Sequence, residues 1–390
     1  MEDITKYVWF QEGPGVRKEQ YTSNGVKLLN VANLVDGKVD LSTSDRFISK
    51  EEANGRYKHF LVDEGDLIIA SSGIQVSYFD KKMGFIQKNQ LPLCMNTSTI
   101  RFKSLDKNVT NIRYFMYFLK SELFKRQLQK QITGSAQLNF GPSHLKKMKI
   151  NMPSIEKQNK IVEKLDKIQN IIDLRNKQLN MLKEVVKSQF VEMFQSGIYP
   201  KEELGKLCDV RDGTHDSPKY LEESEYKFIT SKNIVNNEID FSEAKYITKQ
   251  DYDKFNTRSK VNYGDILMPM IGTIGKPIIV NIPDEKIDFA IKNVALIKFL
   301  ENSKVTNIYI KNLFDSDYFE NAISQNKRGG TQKFIALSDI RKLEIEIPPI
   351  ELQNKFADFV KQVDKQKFEI KESLTEMENL YNSLMNEYFG

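Results

Sequence analysis

The chain has 390 residues, which is too many for a single hydrophobic core and fits two domains of about 150 residues with some sequence left over. Its hydrophobic content of 40% supports packed cores, and its two cysteines exclude a disulfide framework and a cysteine metal site. A net charge of +5 permits a polyanionic partner without requiring one. The N-terminal MEDITKYVWF lacks the basic and apolar regions of a signal peptide, so we expect a cytoplasmic protein.

The first half of the chain predicts a mixed α/β domain. The runs GDLIIAS (65–71) and TIRFK (99–103) have the composition of short strands, and one helical segment is predicted over residues 111–131. That segment is basic, and its side chains either follow a phosphate backbone or form an ordinary solvated face. The basic residues are Lys120, Lys125, Arg126 and Lys130.

A long helix is predicted over residues 154–194. Pro153 ends the preceding strand, and Ser154 is a suitable N-cap. A narrow apolar stripe at steps of three and four predicts a coiled coil, and an amphipathic helix lying on its own domain is the alternative. The stripe comprises Ile161, Leu165, Ile168, Ile172, Leu179, Leu182, Val186 and Met193, with interruptions at Arg175 and Gln189.

The second half of the chain repeats the first. NMPSIEKQNKIVEKL (151–165) and EIPPIELQNKFADFV (346–360) lie 195 residues apart, and GDILMPM (264–270) is a fainter copy of GDLIIAS. A repeat unit of this length is far longer than the ~20–50 residues of a solenoid, so a whole domain has been duplicated. The copy includes one helical segment over 307–327 and a second long helix over 350–389. The stripe of that helix comprises Phe356, Val360, Val363, Ile370, Leu374, Met377, Tyr381, Leu384 and Tyr388, interrupted at Lys367.

Sequence patterns for catalysis are missing. The fragment GTIGKP (272–277) has neither the upstream glycine nor the hydroxyl residue of a phosphate loop. The chain has no FxGxG motif and no Asn-Pro-Pro-aromatic tetrapeptide, which an amino-methyltransferase would need. No clustered carboxylates with a lysine suggest a Mg²⁺-dependent nuclease. We therefore expect no catalytic residues, no metal and no cofactor in this chain.

The fragment DGTHDSPK (212–219) comes nearest to a catalytic pattern. Asp212, His215 and Asp216 could in principle bind a metal ion. A polar turn containing glycine and proline is the simpler interpretation.

Several segments together resemble a known family. A Gly-x-x-Gln turn, an Ile-x-x-Pro or Ile-x-Ile-Pro strand, and Ile-Glu-x-Gln-Asn-Lys at the start of a long helix occur twice. This pattern is similar to the conserved regions of the specificity subunit of Type I restriction-modification systems. EGPGVRKEQYTSNGVKLLNVANL (12–34), RDGTHDSPKY (211–220) and FITSKNI (228–234) resemble the opening segments of two target recognition domains of that family. The resemblance covers essentially the whole chain.

The resemblance implies an α+β protein with two mixed α/β target recognition domains in a pseudo-two-fold repeat, separated by two long helices that form an antiparallel coiled coil. The implied segments are a first target recognition domain (1–150), a central conserved helix (151–196), a second target recognition domain (197–346) and a C-terminal conserved helix (347–390).

The same resemblance implies the function and the partners. Each domain would read one half of a bipartite site in double-stranded DNA, and the helices would act as a spacer that docks two methyltransferase subunits. Restriction/translocase subunits would join the full complex, and no membrane is involved. S-adenosylmethionine is expected on the methyltransferase subunit, because this chain has no motif to hold it.

Base reading requires amide, hydroxyl and cationic groups at groove edges, and the predicted loops supply them. The candidates in the first half are Arg17, Lys18, Gln20, Tyr21, Ser71, Ser72, Gln75, Gln137 and Asn139. Those in the second half are Thr214, His215, Lys219, Ser231, Lys232, Thr273, Lys276, Arg328, Thr331, Gln332 and Lys333. Gln137 and Gln332 belong to the repeat, so a structural role in that turn is an equal alternative.

The repeated helix starts supply the candidates for methyltransferase docking, namely Gln158, Asn159, Gln353 and Asn354. Ordinary hydrogen bonding at a helix N-terminus is the alternative for these four residues. Two other functions remain open at this point: a specificity partner of a fused restriction-methylation enzyme, and a coiled-coil scaffold whose globular ends bind proteins.

Overall fold

A computed structural model of the chain describes residues 1–132, 137–195, 197–235, 237–271, 275–324 and 335–390. These residues form two compact units. Unit 1 consists of Met1–Arg175 with Ser373–Gly390, and unit 2 consists of Asn176–Glu372. The sequence predicts four consecutive segments, whereas the end of the last helix belongs to unit 1 because it packs into the core of that unit.

The strands of unit 1 form a four-stranded sheet of order β2-β11-β7-β9, a three-stranded sheet of order β10-β3-β6, and three two-stranded pairs among the described residues. Neighbours in the four-stranded sheet are antiparallel, and β3 and β10 are parallel. The strands are β1 (Glu2–Asp3), β2 (Val8–Glu12), β3 (Val26–Leu29), β4 (Leu34–Val35), β5 (Lys38–Val39), β6 (Phe47–Ile48), β7 (Leu67–Ala70), β8 (Ser72–Gln75), β9 (Met83–Phe85), β10 (Leu93–Met95), β11 (Thr99–Ser104), β12 (Gln137–Asn139) and β13 (Lys149–Ile150).

The run GDLIIAS forms β7, as predicted, and is apolar throughout because both faces of the sheet are covered. Leu67 and Ile69 lie in the core that includes the helices, and Ile68 and Ala70 lie in the core shared with the three-stranded sheet. Successive strand residues point to opposite faces, so one strand serves two cores. Full burial of each aliphatic side chain contributes about 1.5–3 kcal/mol.

The helices of unit 1 are α1 (Lys50–Asn54), α2 (Ile112–Lys120), α3 (Glu122–Gln129), α4 (Pro142–Leu145) and the first part of α5 (Ile155–Phe194). All but α1 cover one face of the four-stranded sheet, and α1 packs through Ala53 against the three-stranded sheet. The prediction of one helical segment over 111–131 is wrong. The Ser121 hydroxyl accepts a hydrogen bond from the Phe124 N–H at 3.2 Å and donates one to the Phe118 carbonyl at 2.7 Å, which ends one helix and caps the next.

Unit 2 repeats this architecture. Its four-stranded sheet has the order β15-β23-β20-β21 and its three-stranded sheet the order β19-β16-β22. The strands are β14 (Lys201–Glu203), β15 (Cys208–Asp212), β16 (Tyr226–Thr230), β17 (Ile234–Val235), β18 (Glu238–Ile239), β19 (Lys245–Ile247), β20 (Ile266–Pro269), β21 (Ile278–Ile279), β22 (Phe289–Lys292), β23 (Val294–Phe299) and β24 (Glu344–Glu346).

The helices of unit 2, apart from the short α6, also match those of unit 1. They are α6 (Leu204–Leu207), α7 (Lys249–Ser259), α8 (Asn307–Phe314), α9 (Asp317–Ser324), α10 (Leu337–Arg341) and the first part of α11 (Ile350–Phe389). The predicted single helix over 307–327 is again two helices, because Ser316 repeats the contacts of Ser121. The mixed α/β class of both halves and their duplication are confirmed.

The two predicted long helices are confirmed, and each spans 40 residues. Their buried residues differ from the predicted stripe near the C-terminal ends. Phe190 and Phe194 are 2% exposed, whereas the predicted Met193 is only half-buried. The difference arises because the end of α5 enters the core of unit 2, where both phenylalanine rings contact Phe356 at centroid distances of 5.5 and 5.3 Å.

Unit 1 holds the end of α11 in the corresponding way. Met385 and Phe389 are buried, whereas the predicted Tyr388 is only half-buried. In each unit, therefore, the start of one long helix and the end of the other share the domain core. Over the part of the chain that the structure describes, no helix has the length and apolar character needed to cross a membrane.

Candidate nucleic-acid interface

Three loops of unit 1 meet at one edge of its four-stranded sheet. The antiparallel register pairs Ile100 with Glu12 and Thr99 with Ala70, so β2 and β7 end where β11 begins. A backbone hydrogen bond continues the pairing beyond the end of β2, since the Gly13 N–H donates to the Thr99 carbonyl at 2.8 Å. We call this place the loop edge of unit 1. It collects residues 13–21, 71–75 and 96–98.

Unit 2 has the same loop edge. Asp212 at the end of β15 pairs with Ala295, and Pro269 at the end of β20 pairs with Val294. The Gly213 N–H donates to the Val294 carbonyl at 3.0 Å. The loop edge of unit 2 therefore collects residues 213–219, 270–271 with 275–276, and Asn293. Most of the predicted base-reading residues with described positions lie at these two edges.

A glycine opens each loop because the neighbouring backbone is too close for a side chain. A Cβ atom at Gly13 would lie 2.1 Å from the Asn96 carbonyl oxygen, and one at Gly213 would lie 2.3 Å from the Ile291 carbonyl oxygen. Any other residue would push the loop away from the sheet.

A two-stranded ribbon extends the loop edge of unit 1. Strands β8 and β12 are antiparallel, with Gln137 opposite Gln75. The Asn139 Oδ1 atom accepts a hydrogen bond from the Ser72 hydroxyl at 2.7 Å and another from the Gly73 N–H at 3.1 Å. The structure thus brings four of the predicted residues together. A ribbon of this kind fits the major groove of DNA.

The other candidates of unit 1 divide into exposed and internal residues. Arg17 and Lys18 are exposed. The Gln20 amide donates to Glu52 at 2.8 Å and accepts from the Tyr57 hydroxyl at 3.1 Å, so it ties the loop to α1 and the turn after it. Direct base contact by Gln20 is therefore not supported.

Two further candidates of unit 1 are less accessible than predicted. Ser71 is 1% exposed, so its side chain is not available at the surface. The ring of Tyr21 is half-buried beneath the Arg46 guanidinium, 5.6 Å from the ring centroid. Their positions follow from packing of the strand end and of the loop, which sequence pattern alone does not reveal.

In unit 2 an ionic network holds the corresponding loop. The two nitrogen atoms of His215 lie 2.9 Å from the Asp212 Oδ2 and 2.9 Å from the Asn293 Oδ1. The Arg258 guanidinium of α7 pairs with the other oxygen of Asp212, which is only 6% exposed. Both ring nitrogens of His215 are thus occupied within the unit, so His215 positions the loop and the predicted base contact by its ring is not supported.

A second set of contacts fixes the outer part of the same loop. The Lys254 ammonium of α7 lies 2.9 Å from Asp216 and holds the pKa of that carboxyl below its usual range. Lys292 donates to the Ser217 hydroxyl at 2.6 Å. The metal-site alternative for residues 212–216 is not supported, since these side chains bond to cations and amides and no group of three potential ligands occurs within the described ranges.

The remaining candidates of unit 2 differ in accessibility. Lys219, Lys232 and Lys276 are exposed. The Thr214 hydroxyl accepts from the Asp216 N–H at 3.0 Å, and the Ser231 hydroxyl donates to the Asn293 carbonyl at 2.9 Å, so both shape the loops. Five predicted residues lie outside the described residues: Thr273, Arg328, Thr331, Gln332 and Lys333.

The four docking candidates also divide into two kinds. Gln158 and Gln353 are 0% exposed, and each amide makes three hydrogen bonds within its own unit. Their predicted contact with a partner is therefore not supported, and the alternative of hydrogen bonding at the helix start describes them. Asn159 and Asn354 are exposed, and partner binding by them stays a prediction.

The basic helical segment of unit 1 is largely engaged by its own unit. Lys125 pairs with Asp80 at 3.1 Å and Glu122 at 3.2 Å. Lys120 is half-buried over the ring of Tyr117, and burial lowers the pKa of its ammonium. Neither the phosphate-binding alternative nor the alternative of an ordinary solvated face describes these two lysines well.

Comparison with known proteins identifies the architecture. A family model described as the Type I restriction modification DNA specificity domain matches twice, at residues 3–184 and 200–378. The chain belongs to the specificity subunits of Type I restriction-modification systems. The two matches coincide with the two halves of the duplication.

Two relatives of this specificity subunit come from Methanocaldococcus jannaschii. The MjaVIII Type I restriction enzyme specificity subunit is 25% identical over 194 residues, which cover 50% of this chain and only 44% of that relative. The putative MjaX specificity subunit is 21% identical over 379 residues, covering 89% of this chain and 82% of that protein.

Solved structures support the fold of the specificity subunit. The S subunit of a Type I system from M. genitalium has a TM-score of 0.56 at 14% identity, over 100% of this chain and 95% of that one. A chain from a structure of complex assembly and conformational transition of the type I R-M system has a TM-score of 0.54 at 14% identity, over 98% of this chain and 97% of that chain.

Sequence reasoning missed the residues that hold the loops of this specificity subunit. Arg258 and Lys254 lie on α7, and Glu52 lies on α1, each far along the chain from the loop it contacts. One local signal is the asparagine at position 293, whose φ is positive at 55°. Asparagine tolerates that conformation better than most residues, and here it places the amide next to His215.

Proposed function

We propose that this chain is the non-catalytic, sequence-specific DNA-binding subunit of a Type I restriction-modification complex. Each unit reads one half of a bipartite site through its loop edge. The observation that carries the proposal is the pair of loop edges: the same strand ends and glycines occur in both units, and the side chains on them differ. A common scaffold with different reading groups is what two different half-sites require.

The chemistry of each loop edge suits DNA. Arg17 and Lys18 in unit 1 and Lys219 and Lys276 in unit 2 are exposed cations for phosphate contact. Lys232 is also exposed and follows Ser231, which bonds to Asn293 of the loop edge. Amides and hydroxyls on the ribbon of unit 1 suit the donor and acceptor pattern of base edges in the major groove. Their rigid support favours specific contact, because the bonds within each loop order it before DNA arrives.

The two long helices are proposed to act as spacer and as docking site for two methyltransferase subunits. The support is the repeat itself, since Asn159 and Asn354 stand exposed at equivalent helix starts. Two similar binding sites suit two copies of one partner. S-adenosylmethionine belongs to that partner in this proposal, restriction/translocase subunits complete the complex, and the assembly works on DNA in the cytoplasm.

Two other functions use the same architecture. A specificity partner of a fused restriction-methylation enzyme would also bind bipartite DNA, but a single large polypeptide would replace the separate methyltransferase and restriction subunits. A coiled-coil scaffold would bind proteins through its loop edges and would show no preference among DNA sequences. The exposed cations at both edges favour DNA over protein.

The proposed function is tested by sequencing the methylated bases of a host that carries the chain and of the same host without it. We expect one bipartite motif to be methylated only in the first host. Binding assays with the purified chain, its methyltransferase subunit and competitor DNA provide the second arm. A host methylome that does not change, together with equal binding of all DNA sequences, would contradict the proposal and favour the scaffold.

A further inference from the structure

Gln158 and Gln353 make the same three hydrogen bonds in the two units. The Gln158 Oε1 atom accepts from the Asn111 N–H at 2.9 Å, and its Nε2 donates to the carbonyls of Val109 and Pro153, both at 2.8 Å. The Gln353 Oε1 accepts from the Thr306 N–H at 2.8 Å. Its Nε2 donates to the carbonyls of Lys304 and Pro348, both at 2.9 Å.

These bonds join three parts of each unit. In unit 1 they connect the start of α5, Pro153 two residues before it, and the loop that enters α2. We call the Gln158 contacts joint 1 and the equivalent Gln353 contacts joint 2. A second bond supports each joint, from the Tyr114 hydroxyl to the Asn151 carbonyl at 3.0 Å and from the Tyr309 hydroxyl to the Glu346 carbonyl at 2.8 Å.

The central strand of each sheet connects the joint to the loop edge. Strand β11 begins at Thr99 on the loop edge and ends at Ser104, whose hydroxyl donates to the Thr110 carbonyl at 3.0 Å, next to Asn111. Six strand residues span roughly 20 Å at ~3.3 Å each. This strand and the buried amide therefore help to set the direction of the long helix relative to the loop edge, together with the packing of Ile161 and Leu165 in the core of the unit.

The arrangement has a consequence for DNA recognition that rests on the proposed function. Adding one base pair between two half-sites moves the second by ~3.4 Å along the axis and rotates it by about 34°. A reader whose angle to its helix can vary would accept both spacings. We propose that Gln158 and Gln353 are positioning residues that make the complex selective for the length of the spacer.

Duplication supports this role. Each amide is fully enclosed and uses its oxygen and both of its N–H groups on backbone partners, so it cannot adopt another arrangement without leaving those partners unpaired. The base-reading loops have diverged, whereas both joints keep the same bonds. The preserved element is therefore the one that fixes geometry.

The test uses the assembled complex with its methyltransferase subunits and DNA that carries both half-sites. Gln158→Met and Gln353→Met keep the side-chain length and remove the three bonds. Binding is compared on DNA with the native spacer and with spacers one base pair shorter and longer. We expect the discrimination between spacers to fall at least threefold in each variant, while the preference for each half-site sequence is retained. Unchanged spacer discrimination would overturn the proposal.

Asn33→Leu and Asn233→Leu are matched controls. Both asparagines are buried, and both bridge a turn with their amides, Asn33 to the Asp40 carbonyl at 3.0 Å and Asn233 to the Asp240 carbonyl at 3.1 Å. They lie outside the path from loop edge to helix. We expect lower melting temperatures and unchanged spacer discrimination. Equal relaxation in these controls would mean general loosening and would also overturn the proposal.

A second pair of variants and a measurement on the wild-type complex complete the test. If the methionine variants do not fold, Tyr114→Phe and Tyr309→Phe remove one hydroxyl from the same joints, and they should relax spacer discrimination less but in the same direction. No change in these variants would count against the joints. The wild-type complex separates the two proposals, because failure to bind any bipartite DNA defeats the proposed function and not the role of the joints.

Discussion

The joints and the loop edges lie at opposite ends of the same central strands. The two copies of the repeat are alike at the joints and differ at the loop edges. Joint 1 and joint 2 use one glutamine each, and each glutamine bonds to three backbone partners at equivalent positions of the repeat. The loop edge of unit 1 is held by neutral amides such as Asn139, whereas that of unit 2 is held by the ionic contacts of Asp212. The hydrogen bonds of the joint are therefore the same in both units, whereas the side-chain contacts at the loop edge differ between them.

The cores around the helix ends show an intermediate degree of change. Phe190, Phe194 and Phe356 form an aromatic cluster in unit 2, and the residues 195 positions away in unit 1 are Met385, Phe389 and Ile161. Hydrophobic volume is kept while residue type varies. Packing requires apolar groups of suitable size, and hydrogen bonding at the joints requires one particular side chain.

The largest expected effect comes from exchanging a whole unit's reader. Replacing residues 1–150 by the corresponding domain of a relative should change one half-site completely and leave the other half-site as it was, because each loop edge is built on its own sheet. Methylome sequencing of a host with the chimaera measures this. A change in both half-sites would show that the two readers are not independent.

Truncation of the helix-end cores should destabilise the two units separately. Phe190→Ala should cost unit 2 about 3–5 kcal/mol and Met385→Ala should cost unit 1 about 2–5 kcal/mol. Each unit contains one buried cysteine, Cys208 in unit 2 and Cys94 in unit 1, so thiol labelling reports the opening of each unit. Faster labelling of Cys94 in the Phe190 variant would contradict separate cores.

A smaller effect is expected from the ionic network of unit 2. Asp212→Asn leaves Arg258 and His215 without their carboxylate and should weaken binding of the unit 2 half-site roughly tenfold, equivalent to ~1.4 kcal/mol. Asp265→Asn is the matched control, since Asp265 is 5% exposed and pairs with Lys298 at 2.6 Å at the opposite end of the sheet. Loss of half-site affinity in the control as well would assign the effect to stability.

A last prediction concerns alkaline pH. Burial raises the pKa of the Cys94 and Cys208 thiols from 9.0 to about 12. A raised pKa favours the folded state below the unfolded value, so this contribution is present below pH 9.0 and is lost as the pH rises toward 12. Chemical denaturation should show that Cys94→Ala and Cys208→Ala lose less stability over this range than the wild type. Parallel pH curves would contradict the prediction.

The secondary structure that could be predicted is the part that depends on local sequence patterns. The strands around Leu67 and Ile266 and both 40-residue helices follow from apolar periodicity and turn residues. The break at Ser121 was missed because an apolar pattern with helical spacing continues across it, and only the hydroxyl contacts reveal the cap.

The candidate site was less predictable because its contacts are distant in sequence. The sequence places residues such as His215 in loops, but it does not reveal their distant partners. Asn293 lies 78 positions from His215, and Arg258 lies 46 positions from Asp212. Gln158 was singled out by the repeat, and its burial became evident only when the loop at Asn111 was placed over it.

Selection from randomised DNA by the assembled complex tests the central claim most directly. The wild type should select one bipartite motif with a fixed spacer. Asn139→Ala should weaken the base preference only in the half-site read by unit 1. Asp212→Asn should weaken it only in the half-site read by unit 2. A contiguous motif, or a variant with weaker base preference in both half-sites, would contradict independent reading of DNA by the two loop edges.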